Sequence, residues 1–279
     1  MSPNSMLIAH ISDTHIAGKN KNAYGVVPTA ANLELCVANI NQLAPNPDLV
    51  LVTGDITCNG LLEESKRAAA ILRKLRSPYY IVPGNHDDRS TLLSAFGQNA
   101  CPVENNTFIH YVIEGYDIRL IALDTSSPGQ SGGEICETRL SWLEEQLSLK
   151  KDKATILFMH HPPAKCRVLE TDKDTFIGVG KLGDLIKKHQ NIKRILCGHI
   201  HMSAHLEWYG TVISVAPSMG LEIVLDLTLK RPSEFTMEAP AYQLHYLTPE
   251  NNLVSHLITV KDKDGPYRFK EYPESMGLH

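Results

Sequence analysis

The fold of this chain can be inferred from one stretch, Tyr79-Tyr80-Ile81-Val82-Pro83-Gly84-Asn85-His86-Asp87. An apolar run of four residues that ends in Pro-Gly is typical of a buried strand that stops and passes into a turn. The side chains after that turn are an amide, an imidazole and a carboxylate, which suit metal binding and proton transfer. The same turn is also compatible with a capped, hydrogen-bonded loop without a catalytic role. The rest of the chain is needed to choose between these interpretations.

Four other apolar runs end in the same way, with polar side chains directly after the run. They are residues 7–12 before Asp13 and His15, residues 48–53 before Asp55, residues 155–159 before His160, and residues 193–197 before His199 and His201. Helical spacing begins at Thr29 and recurs over residues 61–75. These two segments separate the runs at residues 7–12, 48–53 and 79–82, which predicts a βαβαβ series. Because right-handed crossovers bring the carboxyl ends of parallel strands to one edge, we expect the polar turns to share a crevice.

The later chain predicts a hairpin over residues 108–123 and helices that include Leu140 to Leu147 and residues 181–189. Alternating runs at residues 211–215 and 254–258 predict antiparallel strands that close a second sheet, with a cap from about residue 220. We therefore expect a catalytic domain over residues 1–220 and a sheet-completing or cap segment over residues 221–279.

Composition excludes several classes of protein. A net charge of -4, with 43% hydrophobic and 21% charged residues, gives no basic surface for nucleic acid. No apolar run reaches the length of a membrane span. The first six residues lack a positively charged segment, so we expect no signal peptide and a cytoplasmic location. The six cysteines show no Cys-x-x-Cys spacing, which favours reduced thiols.

Seven oxygen and nitrogen donors follow the five strands. They are Asp13, His15, Asp55, Asn85, His160, His199 and His201. Seven donors are too many for one tetrahedral ion, but they suit two ions about 3.5 to 4 Å apart that share a bridging carboxylate. Manganese, iron, zinc and cobalt all accept such donors, so the identity of the divalent or trivalent ions stays open. Each side chain alone could instead cap a turn or satisfy a buried hydrogen bond, but five such motifs in order favour a site.

These motifs resemble the signature of the calcineurin-like metallophosphoesterases over residues 7 to about 205. They are Asp13-x-His15, Gly54-Asp55, Gly84-Asn85-His86-Asp87, His160-x-Pro162 and Gly198-His199-x-His201. The variant is similar to that of class III cyclic-nucleotide phosphodiesterases and bacterial glycerophosphodiesterases. The resemblance implies an α/β fold, a four-layer αββα sandwich of two mixed β-sheets flanked by helices. It also implies one ion on Asp13, His15 and His201, a second on Asn85, His160 and His199, and Asp55 between them.

The implied reaction is hydrolysis of a phosphodiester by attack of a metal-bound hydroxide, in which Asp55, Asn85 and His86 are catalytic. His86 is not needed as a ligand, so it could protonate the leaving alkoxide or stabilise phosphoryl charge; the alternative is a supporting hydrogen bond. Asp87 is expected to orient its loop or a neighbouring imidazole, and Asp124 to lie outside the ligand set. His161 could contact substrate or serve the fold alone.

Three functions remain open from sequence. The first is a phosphodiesterase for small diesters, either a 3′,5′-cyclic nucleotide such as cAMP or a glycerophosphodiester. The second is a broad phosphomonoesterase, and the third is a metal-free scaffold, which predicts lost ligands. Specificity is expected from the loop between His15 and Thr29, residues 126–136, residues 165–180 and the C-terminal cap, where Tyr24 could stack on a base. The expected partner is a small-molecule substrate, with no nucleic acid or membrane, and a homodimer or larger homo-oligomer could form through the cap.

Overall fold

The computed structural model describes residues 5–103, 107–261, 264 and 267. Its strands are β1 (Met6–Ile11), β2 (Leu49–Thr53), β3 (Tyr79–Val82), β4 (Tyr111–Ile113), β5 (Arg119–Ala122), β6 (Thr155–Phe158), β7 (Ile192–Cys197), β8 (Ala204–Trp208), β9 (Thr211–Val215), β10 (Leu221–Ile223), β11 (Phe235–Met237), β12 (Ala241–Leu247) and β13 (Leu253–Thr259). Its helices are α1 (Thr29–Gln42), α2 (Leu62–Leu72), α3 (Arg89–Phe96), α4 (Glu137–Leu149), α5 (Leu169–Asp172) and α6 (Val179–Lys187).

The first sheet has the strand order β13-β12-β1-β2-β3. The pairs β1–β2 and β2–β3 are parallel, and α1 and α2 connect them, so the predicted βαβαβ series is confirmed. The strands β12 and β13 add to the other side of β1 as antiparallel neighbours. The carboxyl ends of β1, β2 and β3 therefore lie at the same edge of one sheet.

The second sheet has the order β4-β5-β6-β7-β9-β8, and four of its strands, β5, β6, β7 and β9, run parallel. The predicted hairpin is present as the antiparallel pair β4–β5, although both strands are shorter than expected. A separate pair, β10–β11, forms a small hairpin of its own.

The expected place of the later strands was partly wrong. The strand β9 runs parallel to β7, because β8 first runs back along the sheet edge and a tight turn at Tyr209-Gly210, both with positive φ, reverses the chain again. The run at residues 254–258 lies in β13, which belongs to the first sheet and not to the second. The division of the chain at residue 220 stays a prediction.

Alternation of apolar residues along the strands of the second sheet produces the layers. In β5, Leu120 belongs to the core shared with the first sheet, whereas Ile121 packs with the outer helices. The same alternation separates Phe158 from Leu157 in β6. Helices α1 to α3 contribute to the first core and α4 and α6 to the second, so two mixed sheets lie between helical layers, as expected. No helix within the described ranges is long and apolar enough to cross a membrane.

Two helices end earlier than their apolar spacing predicts. The helix expected over residues 61–75 stops at Leu72, where the N–H groups of Lys74 and Leu75 bond to carbonyls three residues back. The helix expected over residues 181–189 stops at Lys187 with the same bonds. A final 3₁₀ turn closes each helix and keeps the apolar side chains on one face.

Candidate metal centre

Backbone hydrogen bonds join the loops that follow the strands of both sheets. Asp13 N–H donates to the carbonyl of Gly54 at 3.1 Å, and His15 N–H donates to that of Asp55 at 2.8 Å. Across the two sheets, His199 N–H donates to the carboxylate of Asp13 at 3.0 Å. Loops that are distant in sequence are thus held against one another, as the crevice argument predicts.

The first group of donors contains Asp13, His15, Asp55 and His201, whose candidate ligand atoms lie within 4.8 Å of one another. His201 Nε2 lies 3.4 Å from Asp13 Oδ1 and 3.0 Å from His15 Nε2. All four side chains are buried, and Nδ1 of both imidazoles has no hydrogen-bond partner in the described part of the chain. Two ionised carboxylates and two imidazole nitrogens around one point are a donor set that fits a divalent cation.

The second group contains Asn85, His160 and His199. His160 Nε2 lies 3.2 Å from Asn85 Oδ1, and the rings of His160 and His199 are 5.0 Å apart. His160 Nδ1 lies 2.7 Å from the carbonyl of Thr53, which can only accept, so Nδ1 keeps its proton, and Nε2 faces the site and offers a lone pair once a cation has displaced its own proton. This tautomer is the one that a metal ligand needs.

Asp55 lies between the two groups. Its Oδ2 is 3.6 Å from His15 Nε2 in the first group and 3.4 Å from His160 Nε2 in the second. A carboxylate in this position can bridge two cations, as the resemblance implied.

His161, for which the sequence left two roles open, also lies beside His160 and His199. Its Nε2 lies 3.1 Å from the carbonyl of Ser131, so Nε2 is the donor, and its Nδ1 accepts from the hydroxyl of Thr125 at 2.8 Å. Both nitrogens are therefore engaged, and His161 has no lone pair free for a metal. Asn85 completes the second group more readily than His161 does.

The polypeptide backbone is strained at most of these positions. Asp13, His15, Asp55, His199 and His201 have φ values of 51, 38, 47, 77 and 59°. These values lie in the left-handed region, which residues other than glycine adopt at a cost of about 1–3 kcal/mol each. Such clustering is typical of active sites, where the surrounding fold imposes the geometry.

The protonation states suit a cation. Burial alone would raise the pKa of Asp55, but the imidazole of His160 outweighs it and holds that pKa well below its usual range. Burial lowers the pKa of His15 to about 3, so this ring is neutral. Burial acts to lower the pKa of His160 as well, but the negative charge of Asp55 outweighs burial and raises that pKa to about 9. The extra proton on His160 is one that a bound cation would displace.

His86 stands at the edge of the first group. Its backbone N–H donates to Asp55 Oδ1 at 2.9 Å, and its Nδ1 donates to the carbonyl of Cys58 at 2.9 Å. Its ring lies 4.8 Å from that of His15. With Nδ1 held in this way, Nε2 is the nitrogen that can exchange a proton with a substrate.

Asp87 orients the loop, as expected. Its carboxylate accepts hydrogen bonds from the backbone of Ile56, Thr57 and Gly84, at 3.0, 2.9 and 3.0 Å. It therefore fastens the turn after β3 to the residues that follow Asp55.

Three further polar side chains lie outside both groups, and for Asp124 this was expected. Asp124 pairs with Arg89 at 2.6 Å, outside both groups. His10 is fully buried and hydrogen-bonded, and His205 bonds to Ser214 instead of reaching the site.

A cavity of about 320 Å³ opens beside both groups and exposes Asn85, His86 and His199 to it. All four segments that were expected to set specificity contribute to its wall, through Tyr24, Ser131, Glu170, Asp174 and Phe235. Tyr24 packs against Phe235 with ring centroids 5.6 Å apart, and Glu170 accepts a hydrogen bond from Ser233. The hairpin region of the C-terminal segment is thus anchored on both sides of the cavity.

The sequence did not identify the acidic part of this wall. Glu170, Asp174 and Glu234 line the cavity, and no lysine or arginine does so among the described residues. These carboxylates lie in loops and in a four-residue helix and belong to no sequence motif, so no local pattern predicted that they would line the cavity.

Two mixed sheets between helices, with aspartate, histidine and asparagine side chains gathered at the strand ends, define a metallophosphoesterase. A family model described as calcineurin-like phosphoesterase matches residues 6–203. A relative from Arcobacter nitrofigilis, named "Probable glycerophosphodiester phosphodiesterase GpdQ", is 40% identical over 95% of this chain and 97% of its own. An Escherichia coli K12 protein, named "3′,5′-cyclic adenosine monophosphate phosphodiesterase CpdA", is 26% identical over 91% of this chain and 90% of its own.

Among solved structures, a dimetal phosphatase from Danio rerio matches with a TM-score of 0.62 at 15% identity, covering 92% of this chain and 99% of its own, which supports the fold. The chain therefore belongs to the calcineurin-like phosphoesterase family.

Proposed function

We propose that this protein is a dinuclear metal-dependent phosphodiesterase that hydrolyses small glycerophosphodiesters. The observation that carries the proposal is the position of Asp55 between two groups of donors, 3.6 Å from His15 and 3.4 Å from His160, at the wall of a cavity. Asp13, His15 and His201 would hold one ion, and Asn85, His160 and His199 the other. Bound ions of this kind supply an activated water and polarise the phosphoryl oxygens.

The residues of the chain divide the remaining work. Asp55 would help to hold both ions, and the strained loops keep the donors in place before substrate arrives. Asn85 lies in the cavity wall, where its amide can contact a phosphoryl oxygen as well as an ion. His86 can deliver a proton from Nε2 to the leaving alkoxide, because Nδ1 is held by Cys58.

The cavity wall favours a diester whose alcohol is neutral or cationic. Glu170, Asp174 and Glu234 repel additional negative charge, and no described basic side chain of the wall offsets them. A phosphomonoester with two negative charges is therefore a poorer match than a diester with one. The relative named as a glycerophosphodiester phosphodiesterase, at 40% identity, supports the same choice.

A cyclic nucleotide is the second candidate, because two aromatic rings line the cavity. Tyr24 and Phe235 offer faces on which a base could stack. The similarity to the cAMP phosphodiesterase supports this candidate at a lower identity, 26%.

The test is turnover by the manganese-reconstituted protein, with a chelator control. The substrates are bis-p-nitrophenyl phosphate, p-nitrophenyl phosphate, cAMP and glycerophosphoethanolamine. We expect chelator-sensitive hydrolysis of the diesters over the monoester, glycerophosphoethanolamine over cAMP, and two ions per chain by elemental analysis. Preference for the monoester, or equal rates with and without chelator, would contradict the proposal.

We also propose a cytoplasmic location and a homo-oligomer that forms through the C-terminal segment. The six cysteines are free thiols, which suits a reducing compartment. Leu225, Leu227 and Met237 of the C-terminal segment are exposed to 54, 60 and 61%. Apolar side chains exposed to this extent are often covered by a partner chain.

A further inference from the structure

A buried polar chain crosses the first sheet next to the metal centre. His10 on β1 lies 2.9 Å from the hydroxyl of Thr53 through Nε2, and 3.3 Å from His245 Nε2 through Nδ1. His245 on β12 continues the chain through Nδ1 to the hydroxyl of Ser255 on β13, at 2.7 Å. Thr53, His10 and His245 are fully buried. The order Thr53–His10–His245–Ser255 defines what we name the histidine chain.

Both imidazoles of the histidine chain are neutral. Burial lowers the pKa of His10 to about 3, and burial also holds the pKa of His245 well below its usual range. A neutral imidazole has one N–H donor and one acceptor nitrogen, so the hydrogen bonds must all run in the same sense. Within the described residues the hydroxyl of Thr53 has only His10 as a side-chain partner. Only one direction of donation leaves no buried donor unsatisfied. In it Thr53 donates to His10, His10 donates to His245, and His245 donates to Ser255.

The inner end of the histidine chain contacts a candidate metal ligand. The carbonyl of Thr53 accepts the Nδ1 proton of His160 at 2.7 Å, and it also accepts from the hydroxyl of Ser12 at 3.2 Å. Thr53 is therefore held by its hydroxyl on one side and holds His160 with its carbonyl on the other. A partner that orients a ligating imidazole and fixes its tautomer changes the affinity for the metal.

We propose that His10, His245 and Ser255 are positioning residues that, through Thr53, fix the place and tautomer of His160. The inference rests on the proposed role of His160 as a metal ligand. It means that the two C-terminal strands contribute to the metal centre although none of their side chains belongs to the ligand set. None of the four residues exchanges a proton with the substrate.

The test compares Thr53→Val, which keeps the shape but removes the hydroxyl, with Thr53→Ser, which keeps the hydroxyl. Cobalt(II) binding to the metal-free full chain is measured by titration calorimetry, together with the thermal unfolding midpoint of the metal-free protein. We expect Thr53→Val to lower the binding affinity for one of the two ions about 10-fold, which is the lower limit of the effect of such supporting hydrogen bonds. Thr53→Ser should bind both ions within about twofold of the wild type.

Leu247→Ala is the matched control, because Leu247 is a fully buried residue of β12 outside the histidine chain. It should lower the unfolding midpoint and leave both affinities unchanged. Wild-type affinities in Thr53→Val, or losses that follow the unfolding midpoint in all variants alike, would overturn the inference alone. A wild-type chain that binds no cobalt would overturn the proposed function together with it.

Discussion

Gly84→Ala tests how closely β2 and β3 approach at the metal centre. A Cβ atom added at Gly84 would lie 2.2 Å from Asp55 Oδ1 and 2.3 Å from Asp55 N. Side-chain rotation can relieve the first contact but not the second, since a backbone nitrogen moves only with its strand. Because Cβ contacts below 3.0 Å essentially do not occur, Asp55 must move by at least about 0.7 Å.

That displacement gives the size of the effect. A misplacement near 1 Å in a preorganised site costs about 10²-fold in rate. We therefore expect kcat/KM on bis-p-nitrophenyl phosphate to fall about 10²-fold and the metal content to fall below two ions per chain. Overpacking of this kind also lowers the free energy of unfolding by about 1–3 kcal/mol, which urea titration measures.

The control is Gly180→Ala in α6, where an added Cβ meets no atom within 4 Å. It should leave kcat/KM unchanged and raise the free energy of unfolding by about 0.5–1 kcal/mol, because alanine favours a helix. A Gly84→Ala variant with kcat/KM and metal content within twofold of the wild type would refute the close approach of the two loops.

Three other changes probe separate parts of the site. His86→Ala should keep both ions but slow glycerophosphoethanolamine more than bis-p-nitrophenyl phosphate, whose leaving group needs less proton assistance; equal slowing would argue against a general acid. Asp174→Asn should raise KM for glycerophosphoethanolamine severalfold and leave KM for bis-p-nitrophenyl phosphate unchanged. An unchanged KM for glycerophosphoethanolamine would show that the carboxylate plays no part in specificity. His10 has its pKa lowered to about 3 by burial, so its contribution to stability is present above about pH 6.5 and is lost as the pH falls towards 3. The stability advantage of the metal-free wild type over His10→Gln, measured by urea titration, should therefore shrink by about 1.4 kcal/mol between pH 7.5 and pH 5.5, and a constant advantage would contradict a neutral His10.

The positions of the candidate ligands could be predicted from the sequence because each follows a strand that its own residues define. The runs before Asp13, Asp55 and Asn85 are nearly all apolar, which predicts the strands of one parallel series, and right-handed crossovers then fix where their ends lie. Only the first two became central strands, because β3 lies at the edge of the sheet. Local pattern and long-range position agree in this part of the chain.

The C-terminal strands could not be placed in the same way. An alternating run such as residues 254–258 specifies a strand with two different faces, but not which of two sheets supplies its neighbour. The choice depends on the free edge of β1, which no local sequence signal reveals. The histidine chain was missed for the same reason, since His10 and His245 meet only when β12 pairs with β1.

The tautomers of the histidines could not be predicted from the sequence either. The sequence shows that His160 and His161 are adjacent, but it does not show that Thr53 leaves His160 a free lone pair while Thr125 and Ser131 occupy both nitrogens of His161. Left-handed backbone at non-glycine ligands was also unexpected. The only local hint is that aspartate and histidine adopt this conformation more often than most residues do.

The pairing of β12 with β1 has a consequence for the solubility of the chain. A shortened chain that ended at residue 220 would keep every candidate ligand, yet it would leave β1 as an open edge whose sequence is apolar except for His10. Unpaired N–H and C=O groups along such an edge are a template for strand addition by another molecule. The last part of the chain therefore covers an edge that would otherwise favour aggregation, at the strand directly before the first candidate metal ligand.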